Sequence, residues 1–444
     1  MSTVSPARKA AFSILKTMEQ YGHSDTLLRG RNVEVLSEPD RKLTTALVLG
    51  VLRWQIELDG RIRPYLRHPK AKLDTEVLVA LRLGAFQLMH MDRIPARAAI
   101  DESVELTKEA GHRFASGMVN AVLRKLAASR EQHPAGEFPE DCRSGYPEWM
   151  VERWTESYGA ASACAICRHG QEPPRLSVRL NGNDLEQELA GHGIELGPGE
   201  FLSAVRHVLA GDVTKTAAFR EGRLQVQDEG SQLIAELMPR GRKILDCCAA
   251  PGGKTLILGE RNPDSEIVAC DGSHQRLGYL RTRLQVLGDR VECRFADVTH
   301  LKDENVFDAV LADVPCSGTG TLGRNPEIRH RLRPEHLQRQ AERQKAILRS
   351  ALRAARAGGS VLYSTCSLEP EENEQVIEAV LAELAGAKLV SLRSRIEEAQ
   401  AEGALMKRGS ERLMTCLAPN GTLRLLPGLF QTDGFLAALI QKEL

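Results

Sequence analysis

Apolar residues recur at three-and-four spacing through the first third of the chain, in AAFSILKTM, KLTTALVLGVLRW, EVLVALRLGAFQLMHM and MVNAVLRKLAA. That spacing lays one apolar stripe along a helix, so residues 1 to about 128 are predicted to be entirely helical, broken at Gly60, Pro69 and the Ile94-Pro95 step. The run QHPAGEFPEDCRSGYP at 132–147 has no period and reads as a linker. A helix is expected to start near Pro147, with Pro at its first turn and Trp149, Met150 and Trp154 on one side. Between about 173 and 225 the period falls to two in RLSVRLN and FLSAVRHVLA, around a helix at NDLEQELAGHG, which describes a small mixed α/β insert. From Lys243 strand and helix signals alternate through KILDCC, EIVACD, RVECRF, DAVLAD and SVLYST, and the chain closes with FLAALIQK. Alternation of that kind predicts a doubly wound parallel sheet with helices on both faces. The expected architecture is therefore multidomain: an all-α region over 1–131, a helical and small α/β linker subdomain over 145–225, and a Rossmann-like doubly wound α/β domain over 226–444.

Length agrees, since 444 residues exceed what one hydrophobic core holds. A hydrophobic fraction of 42% and a charged fraction of 27% are ordinary for a soluble protein. Lys9, Lys16 and Glu19 interrupt the apolar residues of the first twenty, and no long uncharged apolar run follows, so neither export nor a membrane span is expected and a cytoplasmic monomer is. Ten irregularly spaced cysteines do not read as a disulfide framework. Cys164 and Cys167 form a C-x-x-C with no second pair at zinc-ribbon distance; two buried thiols on one helix face are expected, and no metal site. The formal charge of zero hides an asymmetry: residues 1–131 hold 21 Lys and Arg against 15 Asp and Glu, leaving the remainder equally acidic. The densest basic stretch, RIRPYLRHPKAK, carries Arg61, Arg63, Arg67, Lys70 and Lys72 without one acid, a face suited to RNA phosphates or simply to solvent.

In ILDCCAAPGGKT, at 244–255, an apolar strand ends at Asp246, and Gly252 and Gly253 make a turn where the backbone can approach a ligand. The next strand ends in Asp271, where doubly wound folds place an acid on a ribose hydroxyl pair, and the third offers Asp297 to an adenine amino group. Either acid could instead cap a helix or turn. The turn is not G-x-G-x-x-G, and its adjacent glycines do not fit a phosphate-binding P-loop. An adenosyl cofactor without a phosphate, S-adenosylmethionine, fits three acids and a glycine turn best.

Two cysteines sit in short frames downstream, ADVPCSGTG at 312–320 and LYSTCSLEPEEN at 362–373. Carbon 5 of cytosine is too weak a nucleophile to attack a sulfonium methyl, so a nucleophile must first add at carbon 6, and a thiolate does this best. A base must then remove the carbon-5 proton so that the thiol can leave. Asp313 closes one strand with Cys316 three residues on, and Cys366 ends the next parallel strand, so all three are expected at one carboxyl edge of the sheet. Taken singly, each cysteine is an ordinary small core residue.

DCCAAPGGKT, ADVPCSGTGTLGRNPEIRHR, LYSTCSLEPEEN and VQDEGSQ together resemble the signature blocks of the RNA cytosine-5 methyltransferases. The helices carrying LRLGAFQLMHMDRIPARAAIDESVELTK and GMVNAVLRKL resemble the NusB-like RNA-binding domain, and the pairing is similar to the Sun, or RsmB, branch. That resemblance implies a 16S rRNA substrate at cytosine 967, with Cys366 as attacking thiolate and Cys316 resolving the adduct. It implies further that Cys248, Ala249, Ala250, Pro251, Gly252, Gly253 and Lys254, with Asp271, Asp297 and Asp313, hold the cofactor and shape the base pocket. Asp313 would also reach the cytosine edge. Arg324, Arg329, Arg331 and Arg333 follow the Pro-Cys turn and are expected to face RNA phosphates. Left open are a non-catalytic RNA-binding factor and a methyltransferase of another RNA such as tRNA; amino-group methylation lacks the aromatic it would want after DVPCSG.

Overall fold

The N-terminal helices Pro6–Met18, Glu38–Ile62, Thr75–His90, Ala96–Glu109 and Ser116–Arg130 enclose a core that includes Leu47, Leu58, Leu81, Leu83, Leu88 and Leu123. The computed structural model describes residues 4–130, 144–182 and 184–444; most of the expected linker lies outside them. Thr75–His90 is buried almost all round from Val77 to Leu88, as its mainly apolar sequence requires of a central helix, with its one buried cation, Arg82, paired to Glu19 and Asp59. It meets Glu38–Ile62 where a Cβ on Gly50 would stand 1.9 Å from the Phe86 ring, so only glycine permits that crossing. Glu38–Ile62 starts on a Ser37 hydroxyl that accepts the Asp40 N–H at 3.3 Å. Contrary to the expected break, it runs through Gly60, because Ile62 beyond it is buried in the core and that packing outweighs glycine's weak helix propensity. Pro69 lies outside any helix and Pro95 caps Ala96–Glu109, as expected.

Pro147 is the N-cap of Glu148–Gln171 rather than part of its first turn, and Gly159 kinks that helix at φ 81°. Of the C-x-x-C pair, Cys167 is buried and free, whereas Cys164 is disulfide-bonded rather than a free thiol. The described chain divides into two compact units, Met1–Glu172 with Leu322–Arg331, and Pro173–Thr321 with Leu332–Leu444. Ten residues that follow the Pro-Cys turn in sequence thus belong to the helical unit.

The second unit opens with strands β1 (Ser177–Leu180), β2 (Glu195–Pro198), β3 (Val205–Ala210) and β4 (Leu224–Val226), all antiparallel in the order β2-β3-β1-β4. With helices Leu185–Gly191 and Ala217–Arg220 between them this is a ferredoxin-like βαββαβ module. Arg179 ties it to the rest of the unit through Glu236 at 2.9 Å and Glu260 at 3.0 Å. The Glu229 carboxylate accepts the N–H groups of Glu200, Phe201 and Leu202, each at 2.7 Å.

The large sheet contains β5 (Lys243–Asp246), β6 (Glu266–Asp271), β7 (Val291–Phe295), β8 (Phe307–Asp313), β9 (Ala355–Thr365), β10 (Ala387–Val390), β11 (Leu423–Leu425) and β12 (Phe435–Lys442). Its order is β10-β12-β9-β8-β5-β6-β7, with β11 also pairing β12. Strands β5 to β9 are parallel, while β12 pairs antiparallel with β9, β10 and β11. The parallel expectation therefore holds for the core and not for the edge, since periodicity carries no strand direction. Helices cover both faces, Leu233, Leu237 and Leu258 burying on one and Ile347, Leu348 and Ala351 on the other. No described helix is long and apolar enough to cross a membrane.

Candidate active site

Strand order reverses beside β5, whose neighbours are β6 and β8, and a crevice opens there at the carboxyl ends. The chain leaves β5 at Asp246 and turns at Gly252, whose φ of 99° suits glycine, to start the helix Gly253–Arg261. A Cβ on Gly253 would lie 2.7 Å from the Gln227 side-chain oxygen, so this glycine is what lets Gln227 close in. The resulting cavity of about 180 Å³ is lined by Val226, Gln227, Ser231, Asp246, Cys248, Ala249, Ala250, Pro251, Gly253, Lys254, Arg283 and Asp313.

Two acceptors in this lining, Asp246 Oδ1 and Gln227 Oε1, are buried without a hydrogen-bond partner. Buried acceptors are normally paired, so this cradle suits a ligand that brings donors and positive charge. Burial raises the Asp246 carboxyl to about 6, against a Thr255 hydroxyl donated at 2.7 Å that pulls it down. Burial also pushes the Cys247 and Cys248 thiols up, so neither is a ready thiolate. Asp271 ends β6, 3% exposed, accepting from Ser273 N–H at 2.8 Å and facing Arg276 at 3.1 Å. Asp297 is exposed and accepts from the Thr299 N–H and hydroxyl, which is the turn-capping role open to it from sequence. Gly252, Asp271 and Asp297 do not line the cavity.

The cysteine frames meet. Asp313 on β8 pairs in register with Ser364 on β9, and Cys316 Sγ lies 3.3 Å from Cys366 Sγ. The Cys316 thiol is held well above its ordinary range first by its hydrogen bond with Cys366 and then by burial. Lys254 Nζ stands 2.7 Å from Asp313 Oδ2 and donates to Ser231 Oγ at 2.8 Å, while Ser364 Oγ donates to Asp313 Oδ1 at 2.7 Å. Burial works to lower the Lys254 ammonium, but the Asp313 carboxylate more than reverses this and leaves it raised. Asp313 is thereby oriented on both oxygens.

The basic residues divide. Arg61, Arg63, Arg67, Lys70 and Lys72 are all exposed, Arg61 near Glu57 at 3.5 Å and Arg63 donating to Pro69 O at 3.1 Å. Arg324 is half-buried and Arg333 exposed. Arg329 is a correction: 1% exposed, it donates to the carbonyls of Arg53 at 3.0 Å, Gly145 at 3.1 Å, Gly170 at 2.9 Å and Leu322 at 3.4 Å. Its guanidinium also stacks 4.1 Å over Tyr146. Arg331 is another correction, donating to Gly22 O and to Met18 O. Both fix the Leu322–Arg331 segment inside the helical unit instead of offering charge to phosphate. Among the described residues no cluster could hold a metal.

Sequence reasoning left Gln227, Ser231, Arg283 and Glu372 unassigned. Gln227 and Ser231 lie within VQDEGSQ, and Glu372 within the frame of Cys366; membership of a recognised block was the available signal.

Comparison with known proteins finds three family models along the chain. A 16S rRNA methyltransferase RsmB/F model matches residues 235–441, a NusB family model residues 5–128, and an RsmF/B-like ferredoxin-like model residues 146–208. A probable ribosomal RNA small subunit methyltransferase B of Bacillus subtilis is 31% identical over 97% of each chain. The ribosomal RNA small subunit methyltransferase B of Xanthomonas campestris is 33% identical over 98% of this chain and 97% of that one. The crystal structure of PH0851 has the same fold, with TM-score 0.78 and 24% identity over 99% of this chain and all of that one. A methyltransferase homolog protein from Pyrococcus horikoshii shares 27% identity over 67% of this chain and 96% of its own, with TM-score 0.54. With a NusB-like helical unit, a ferredoxin-like module and this crevice in one polypeptide, the chain belongs to the ribosomal RNA small subunit methyltransferase B family.

Proposed function

We propose that this RNA methyltransferase transfers a methyl group from S-adenosylmethionine to carbon 5 of a cytosine in small-subunit ribosomal RNA, in the cytoplasm, with cytosine 967 of 16S rRNA as the target the family implies. The observation that carries the chemistry is the 3.3 Å approach of Cys316 and Cys366 at the ends of adjacent strands. The cofactor supplies an electrophilic methyl on a sulfonium. The unpaired Asp246 and Gln227 oxygens would meet its cationic sulfur and ammonium, with Cys248 to Lys254 around it; Asp271 and Asp297, outside this cavity, are held as ribose and adenine candidates only by the family resemblance.

On the substrate side, Cys366 sulfur adds to cytosine carbon 6, and the ring electrons this releases make carbon 5 nucleophilic. Asp313, held by Lys254 and Ser364, orients the base edge through its oxygens. Once carbon 5 is methylated, its proton passes to a general base, the electrons of that carbon–hydrogen bond reform the carbon 5–carbon 6 double bond, and Cys366 leaves as thiolate. The 3.3 Å contact puts each sulfur within reach of the other, and the family resemblance assigns Cys366 as the attacking sulfur and Cys316 as the group that assists its departure. A base inside a duplex cannot reach these thiols, so an extruded or unpaired cytosine is the expected substrate. The exposed Arg61, Arg63, Arg67 and Lys70, with Arg324, are the candidates for phosphate contact.

The test is to incubate Cys316→Ala and Cys366→Ala with adenosylmethionine and small-subunit rRNA, and to run denaturing gels for protein joined covalently to RNA. An adduct in Cys316→Ala that Cys366→Ala lacks is expected. The opposite pattern reverses the thiol roles, and no adduct with no methyl transfer by wild type on any RNA leaves a non-catalytic RNA-binding factor.

A further inference from the structure

Glu372 is fully buried, 0% exposed, at the end of the short turn Pro370–Glu372. A carboxylate there is costly unless its charge is met by donors. All of its partners are neutral, and three of the four bonds come from the two cysteine frames. Ser317 N–H donates to Oε1 at 2.8 Å, and the Ser317 hydroxyl donates to Oε2. The Ser367 hydroxyl donates to the same Oε2 at 2.5 Å. Gln344 Nε2 donates to Oε1 at 2.9 Å and also to the carbonyl of Pro315 at 2.9 Å, the residue before Cys316. Ser317 follows Cys316 and Ser367 follows Cys366, so one carboxylate grips the neighbour of each thiol.

We propose that Glu372 is the positioning residue that fixes the Cys316–Cys366 distance, clamping the two frames through Ser317 and Ser367. It touches neither sulfur. Its neighbour Asn373 braces the Cys366 frame separately, accepting from Thr365 Oγ1 at 2.6 Å and donating to Ser367 O at 2.9 Å, but makes no bond to the Cys316 frame. Ser317 Oγ and Ser367 Oγ also meet at 3.1 Å, and Ser364 with Asp313 and Leu368 N–H with Thr319 cross the same gap, but Glu372 holds the hydroxyls next to both thiols at once. The catalytic meaning of the clamp rests on the cytosine-5 reading; the distance it sets does not.

The distance can be read without RNA as the effective concentration of one thiol at the other. Full-length protein is equilibrated in mixtures of reduced and oxidised glutathione, in which two protein thiols become a disulfide while one oxidised glutathione becomes two reduced molecules. The Cys316–Cys366 bridged peptide is then quantified by mass spectrometry. Each hydrogen bond to a buried charge outweighs one decade in equilibrium, so Glu372→Ala should lower the effective concentration at least about tenfold and Ser317→Ala less. Glu372→Gln, which keeps volume and one acceptor oxygen, should fall between. If Glu372→Ala fails to fold, Glu372→Gln and Ser367→Ala are read the same way. An unchanged effective concentration in folded Glu372→Gln and Ser367→Ala overturns the clamp. In methyl transfer Glu372→Gln should lower kcat with KM for RNA unchanged. Loss of thiol pairing in the Glu372 and Ser367 variants, with no RNA adduct in Cys316→Ala and no methyl transfer by wild type, sinks the cytosine-5 reading and leaves the clamp standing; a fall in kcat with thiol pairing unchanged overturns the clamp and leaves that reading.

Discussion

Arg329→Ala separates a structural arginine from a phosphate-binding one. Gly170 is among the last carbonyls of Glu148–Gln171, which have no partner within their helix, and the Arg329 guanidinium supplies one at 2.9 Å. Gly145 lies before that helix and receives the same group at 3.1 Å. The Arg53 carbonyl sits inside Glu38–Ile62 and keeps its helical bond, so truncation orphans the Gly145 and Gly170 acceptors and also removes the longer 3.4 Å bond to Leu322 O. Each unpaired buried acceptor costs about 1–3 kcal/mol. Lost stacking on Tyr146 adds about 1–2 kcal/mol. Against this, a buried cation disappears from beside Arg53, whose own guanidinium is lowered to about 10 by burial and then by Arg329. The net is a loss of about 3–5 kcal/mol, or roughly 6–20 °C in melting temperature for a unit of this size. Arg329→Lys keeps the charge without the planar fork and should lose about half of that. Thermal and urea denaturation measure the loss, and RNA affinity at several salt concentrations is the counter-assay. A variant that melts within about 2 °C of wild type but binds RNA with its salt slope reduced by about 0.7–0.9 would refute the structural role and restore the phosphate contact.

Asp246→Asn should change the pH dependence of stability. The folded carboxyl is raised from 3.8 to about 6, so between those values the native state holds more protons than the unfolded one and stability falls as pH rises, by up to about 3 kcal/mol at pH 7; the variant, melted from pH 4 to 7 without cofactor, should lack that fall, and an identical wild-type slope would contradict it. Gly320→Ala puts a Cβ 2.5 Å from Gly434 O and 2.8 Å from Cys366 O, so it should displace the Cys366 backbone and cost at least about tenfold in methyl transfer with adenosylmethionine affinity retained. Full activity in that variant would show the strand end to be pliable. Arg67→Ala with Lys70→Ala should lower the salt slope of RNA binding by about 1.4–1.8 without moving the melting temperature; an unchanged slope removes that stretch from the interface.

What the sequence disclosed follows from the range over which each feature is decided. The cysteine frames were legible because each is a local event, a strand ending in a turn, and because adjacent parallel strands must bring such endings to one edge; the Asp313 and Ser364 register is that rule realised. Orientation of β12 was not legible, since an alternating pattern is the same read in either direction. Gly60 misled because its neighbour Ile62 is recruited by a core assembled from distant helices. The arginines show the limit most sharply. Arg67 and Arg329 are alike in any window, each a cation among polar residues, yet one ends in solvent and the other among carbonyls from Arg53, Gly145 and Gly170. Only the convergence of chain segments more than a hundred residues distant distinguishes them, and no local pattern encodes it. The same holds for acids: Asp271 and Asp297 each close a strand signal, but one is buried beside Arg276 and the other caps an exposed turn. Charge next to a recognised motif therefore identifies a neighbourhood, and whether that charge meets a ligand or holds the scaffold is decided by the burial that the rest of the chain imposes.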